Sequence, residues 1–180
     1  MGIKELEKNI ILKKDILINF ETIVFNLKQN IIWDNSITSR KTASFGIPYN
    51  YSNIKYKKSN IPEFLNELVK IVNVNNKFVP NNCLINYYFE NNSKMGFHSD
   101  QVDVLYKKTG IAIFSFGSSR IMRFKNKYDT TIIYDILLEN NSYFYMTQGI
   151  QEEWLHSILS VKDCEINERF SLTFRKILEL

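Results

Sequence analysis

Cysteine is nearly absent: Cys83 and Cys164 are the only two in 180 residues. No CxxC pair or flanking metal-type spacing surrounds them, so a disulfide framework is not expected, and a reduced cytoplasmic setting is. Structural zinc takes four ligands, often with cysteine among them, and these two are misplaced for that. Glycine (6) and proline (3) are scarce as well, which removes a collagen-like reading. Long apolar runs are missing too. Ile111 to Phe116 is among the longest, far short of the ~20 residues of a bilayer-spanning helix. The first residues, Met-Gly-Ile-Lys-Glu-Leu, lack the apolar core of a signal peptide, and Leu6 stands where a myristoylation signal has Ser or Thr. The expectation is a soluble, intracellular, monomeric chain with no membrane partner.

Charge of either sign is modest. Lys+Arg number 23 against 19 Asp+Glu, a net +4 with a sequence pI near 8.9, which permits a polyanionic partner without requiring one. What is abundant is apolar surface: 44% hydrophobic and 14% aromatic residues exclude a disordered tail and an isolated coiled coil. A chain of this length removes roughly 70% of its unfolded surface from water, enough for a real core. One domain over residues 1–180 is expected, helical over about 1–80 and β-rich over about 83–178.

Periodicity supports that division. Phe20, Ile23, Val24 and Leu27 within 19–33 fall on one helix face, as do Phe64, Leu65, Leu68, Val69 and Val72 within 62–72. Asn60 is the expected cap of the second helix, with Pro62 in its first turn. Between them, 40–53 reads as strand and loop. From Cys83 onward come short strands rich in Ile, Phe, Tyr, Val and Thr: 84–89, 110–116, 120–125, 130–135, 142–146, 154–158 and 169–177. Helices first and strands later give an α+β fold, a two-sheet sandwich or barrel with helices outside.

The chain has just two histidines. His98 precedes Asp100 by two positions, so in an extended segment both side chains point to one side. His156 sits in a separate expected strand. Two imidazoles and one carboxylate on one face of a metal, with the other positions open, is the ligand set of non-haem Fe(II) oxygenases. Alone, His-x-Asp also describes a solvated strand-end pair, and a single histidine in an apolar strand is often a satisfied core residue. A further element shifts the balance. Arg169, Ser171, Thr173 and Arg175 alternate with Phe170, Leu172 and Phe174, placing the polar set on one strand face. An inward arginine is costly without an anion, and a dicarboxylate would supply one.

Together these residues resemble the AlkB family of Fe(II)/2-oxoglutarate dioxygenases. The resemblance rests on Asn86-Tyr87-Tyr88, His98-x-Asp100, Trp154-x-His156 and Arg169-x-Ser171-x-Thr173-Phe174-Arg175, in that order. Ser115-Phe116-Gly117 with Arg120 is similar to a further family strand, and 40–52 is similar to its nucleotide-recognition lid. The resemblance implies a double-stranded β-helix (jelly roll) with flanking N-terminal helices. It implies iron on His98, Asp100 and His156, and 2-oxoglutarate contacts from Asn86, Tyr88, Arg169, Ser171 and Arg175. Arg169 would meet the distal carboxylate, and Arg175 would lie at the metal-chelating end. O2 would be the oxidant, and the substrate an N-alkylated base of DNA or RNA, dealkylated after flipping out. Tyr49, Tyr51, Arg40, Asp103 and Arg120 are the implied substrate contacts, with Lys41 and Arg123 as further phosphate candidates.

Two departures from the family pattern bear on this. Ser171 replaces an asparagine, and Val102 stands where some members carry a substrate-contacting acid, with Asp103 one place beyond. A small-molecule or protein hydroxylase or demethylase on the same core is the alternative. A non-catalytic nucleic-acid-binding module is another, though intact ligands and both arginines speak against a decayed site.

Overall fold

The strands alternate between two partners, helices on one side and a second sheet on the other, and that alternation organises the molecule. The computed structural model describes residues 2–49, 55–161 and 168–179. Ile3–Lys8 (α1), Ile10–Lys13 (β1), Phe20–Asn30 (α2) and Lys41–Gly46 (β2) come first. A 3-10 turn at Glu63–Leu65 leads into Asn66–Asn76 (α3). Then follow Asn82–Tyr88 (β3), Met95–His98 (β4), Ile111–Gly117 (β5), Arg120–Asn126 (β6), Ile133–Leu138 (β7), Ser142–Met146 (β8), Ile150–Glu153 (α4), Trp154–Ile158 (β9) and Arg169–Arg175 (β10).

A six-stranded sheet runs in the order β1-β8-β5-β10-β3-β2, and a four-stranded sheet in the order β4-β9-β6-β7. Their named pairings are antiparallel, as in a jelly roll. Cys83, Ile85, Ala112, Phe114, Phe116, Phe170, Leu172 and Phe174 pack with Ile23, Leu27, Leu68 and Val72 of the helices. On the other side, Leu84, Tyr88, Ile111, Ile113, Phe144 and Met146 meet Met122, Phe124, Ile136, Leu138, Trp154 and Ile158 of the small sheet. Both faces of β10 are therefore buried along its whole length. The α+β jelly roll with outer N-terminal helices is the architecture the sequence led us to expect.

Differences from expectation are local. The short α1, β1 and α4 carry too few residues to show a period. β7 begins at Ile133 because Asp129 Oδ1 accepts from both the backbone N–H and the hydroxyl of Thr131, holding that stretch in a turn. Asn60 caps nothing: the 3-10 turn starts at Glu63 after an extended Pro62 (ψ 141°), with no side-chain cap. Gly46 ends β2 at φ +79°, where an added Cβ would lie 2.0 Å from the Asn81 carbonyl oxygen. Only glycine makes this turn without strain, and the turn sends the chain toward Tyr49.

Leu172 is fully buried beneath the helices. Leu172→Ala should cost about 2–5 kcal/mol in urea unfolding. Ile133→Ala, on the edge strand and 45% exposed, should change stability by about 0.5 kcal/mol or less.

Candidate functional site

β4 and β9 pair so that His98 stands directly opposite His156, with an irregularity in register between Met95 and His98. The two rings lie 4.3 Å apart, centroid to centroid. Asp100 follows beyond the end of the strand. β4 ends at His98, and Gln151 in α4 catches the Asp100 backbone N–H with its Oε1 at 2.8 Å. One ligand atom from each of His98, Asp100 and His156 lies within 4.8 Å of the others, close enough to share one ion. His98 Nδ1 is 2.9 Å from the Gly96 carbonyl oxygen, a hydrogen bond that leaves Nε2 for a metal. Asp100 Oδ2 sits 3.7 Å from His156 Nε2.

Electrostatics prepare this trio for metal. Burial alone would raise Asp100, but Arg175 and the two imidazoles outweigh it and hold the carboxyl at about 2. Burial pushes His156 down to about 3, with His98 and Arg175 adding to it and Asp100 opposing. At neutral pH the carboxylate is charged and His156 is neutral, the protonation states that metal ligation requires.

A cavity of about 350 Å³ opens beside the trio, walled by Asn86, Tyr88, Ser171 and Arg175 among others. Register explains the convergence: Ser171 on β10 sits between Asn86 on β3 and Ser115 on β5. Arg175 donates from Nη2 to Asp100 Oδ1 at 2.5 Å, and its Nε and Nη1 are buried without a hydrogen-bond partner among the described residues. Arg169 is fully buried behind Tyr88, whose ring centre lies 5.2 Å from its guanidinium. Its Nη2 donates to Ser115 Oγ at 2.9 Å, while Nε and Nη1 find no hydrogen-bond partner among the described residues. Burial pulls the Arg169 pKa down to about 10, with Tyr88 opposing and Arg120 contributing. Orphaned buried guanidinium donors are costly; Arg175 lines the cavity, while Arg169 lies behind Tyr88 and outside its lining. The residues present fit Fe(II) and 2-oxoglutarate.

The expected substrate contacts lie at different depths. Tyr49 is buried in the cavity wall, and its hydroxyl donates to Asp100 Oδ1 at 3.1 Å. Arg40 is buried in the cavity wall, with Nε donating to Asn86 Oδ1 at 2.8 Å. Arg120 is fully buried and donates to the Glu90 and Asn91 carbonyls at 3.1 and 3.2 Å, so no phosphate outside can reach it. Arg123 is at the surface but forks onto Asp135 at 2.8 and 2.7 Å. Asp103 lies in an exposed turn apart from the cavity lining. Lys41 sits over the Phe89 ring, 5.3 Å from its centre. Tyr51 lies outside the described residues, as does Cys164.

Two supporting residues escaped the sequence reading. Gln151 holds the Asp100 amide, and Lys127 Nζ donates to Ser99 Oγ at 3.1 Å and to the Gln151 carbonyl at 2.7 Å. A glutamine in a one-turn helix and a strand-end lysine carry no local signal of such a task.

Residues 23–175 match the family model described as the 2OG-Fe(II) oxygenase superfamily. The RNA replication polyprotein of Citrus leaf blotch virus is 27% identical over 129 residues, which is 71% of this chain and 6% of the polyprotein. An uncharacterized protein of Acanthamoeba polyphaga mimivirus is 33% identical over 95 residues, or 53% of this chain and 49% of that protein. The chain thus spans about half the length, or less, of these curated relatives. The solved structure of OsALKBH1 superposes with a TM-score of 0.71 at 18% identity, covering 93% of this chain and 98% of that one. That likeness shows a shared fold.

The buried imidazole makes the metal-free protein acid-sensitive. His156 falls from an ordinary 6.5 to about 3 on folding, so its contribution is complete above pH 6.5 and drains away as pH drops toward 3. Asp100, down from 3.8 to about 2, adds a loss in the same direction below pH 4. Urea midpoints between pH 7 and 4.5 should fall for the metal-free wild type, and fall less steeply in His156→Gln.

Proposed function

The chain belongs to the 2OG-Fe(II) oxygenase superfamily, whose members use Fe(II), 2-oxoglutarate and O2, and on that premise we propose that it oxidatively dealkylates N-alkylated bases of DNA or RNA. The observation that carries the oxygenase reading is the cluster of His98 with the buried Asp100 and His156, beside a cavity edged by unsatisfied Arg175 donors. Iron and 2-oxoglutarate, when bound, supply with O2 the oxidising power to hydroxylate an N-alkyl carbon, leaving succinate and CO₂.

The protein's own part is to bind, orient and shield. His98 and His156 present ring nitrogens, and Asp100 presents charge. Arg175 neutralises the back of Asp100 and leaves two donors facing anionic oxygen. Arg169, braced by Ser115 and Tyr88, takes the distal carboxylate. Ser171 lines the cavity where the family pattern has the longer asparagine, so its hydroxyl reaches less far. Asn86, already held by Arg40, is fixed in orientation before any ligand arrives. A base would have to leave its stack to reach this depth, which favours damaged or single-stranded sites.

Support for a nucleic-acid substrate comes from the similarity of 40–52 to the family's lid and the net charge of +4. The relationship to part of a viral RNA replication polyprotein adds to it. A second reading, oxidation of a small molecule, is favoured by the inward commitment of Tyr49, Arg40 and Arg120. The deciding experiment measures succinate release with methylated oligonucleotides and with small amines. Stimulation by oligonucleotides, weakening as salt rises, supports the first; stimulation by small molecules alone supports the second.

Asp100→Ala should lose turnover and, because Arg175 is left buried without its carboxylate, unfold at a lower urea concentration. Arg169→Leu should raise the KM for 2-oxoglutarate about tenfold or more with a smaller change in kcat, because a charge-assisted pair is lost. An unchanged KM would place the distal carboxylate elsewhere.

A further inference from the structure

Resting on the assignment of iron to His98, Asp100 and His156, we infer that Tyr49 is a positioning residue that restricts Asp100 to a single metal-facing oxygen. The two carboxylate oxygens keep different company. Oδ2 lies on the ligand side, 3.7 Å from His156 Nε2. Oδ1 accepts from Arg175 Nη2 at 2.5 Å and from the Tyr49 hydroxyl at 3.1 Å.

The direction of the Tyr49 hydrogen bond is fixed by its neighbours. The phenol oxygen accepts the Gln101 backbone N–H at 2.9 Å, so its own proton is left to point at the carboxylate. The ring is held as firmly: it is 6% exposed, with the Arg175 guanidinium 4.1 Å above its centre. Upstream, the Ile47 N–H donates to the Asn81 carbonyl and the Ile47 carbonyl accepts from Asn82 Nδ2, each at 2.8 Å. From the opposite side, Gln151 fixes the Asp100 main chain and is itself tied to Met146 Sδ at 3.1 Å. Rotating the carboxylate would break two hydrogen bonds to a charged acceptor at once.

A carboxylate can bind a metal through one oxygen or two. With Oδ1 occupied, only Oδ2 remains, and the position that a second oxygen would take stays open. 2-Oxoglutarate needs two such positions and O2 one more, so a clamp on Oδ1 keeps the count right. In this arrangement Tyr49 acts through Asp100 and need not touch the reacting atoms.

The test is anaerobic titration of the Fe(II)-loaded protein with 2-oxoglutarate, followed by the visible charge-transfer absorption of the chelate. Tyr49→Phe keeps the ring against Arg175 and removes only the hydroxyl, and a thermal melt verifies that it folds. Half-saturation should weaken about tenfold, the loss expected for one hydrogen bond to a charged group, and the band should shift in position. Tyr49→Leu should share both defects. A Tyr49→Phe protein that titrates like wild type with an unmoved band would overturn the inference alone. Absence of the band in wild type, or its persistence in His156→Ala, would remove the iron assignment and the inference together.

Discussion

A guanidinium and a carboxylate buried side by side, Arg175 against Asp100, tie the large sheet to the turn that follows β4. Each would be expensive to bury alone, and their proximity holds Asp100 ionised where burial would otherwise neutralise it. The pair depends on β10 being central, with β3 and β5 on its flanks and both faces covered. It also depends on the small sheet bringing His98 and His156 into register across from it. Fold and site therefore share one constraint: the Arg175 end of β10 is admitted to the interior because the charge of Asp100 meets it there.

The same logic explains Arg169 at the other end of the strand. Among the described residues it has no carboxylate hydrogen-bonded to it, and its hydroxyl and aromatic neighbours leave two donors unanswered. A strand that pairs one arginine internally and leaves its counterpart short, six residues away on the same face, is polarised along its length. That polarity suits an elongated dianion lying parallel to β10, with one end at the metal ligands.

Much of this was legible in the sequence, for identifiable reasons. The alternation of Arg169 to Arg175 has a period of two that survives in the structure, because both phases find a partner layer. The helix at Phe20–Asn30 shows itself by its apolar spacing. His98, Asp100 and His156 stand out because the chain has so few histidines to choose among. What escaped is what depends on distant chain segments meeting. Arg120 looks like a surface charge until the 90–91 carbonyls fold over it. Tyr49 looks like a lid residue until the Gly46 turn carries it beneath Asp100. Gln151 has no pattern at all, since its role exists only where α4 passes the end of β4.

The two histidines are held with unequal firmness. His156 lies in β9, bonded on both sides by β4 and β6, and is 4% exposed. His98 lies at the end of β4, a four-residue strand with an irregular register on the open edge of the small sheet. One histidine is thus set in the body of the fold, and the other is mounted on a short edge strand. Edge strands of this kind sit at the low-stability end of a protein's local opening. Local opening of the cluster would therefore begin at His98, while the buried His156 and Asp100 stay in place.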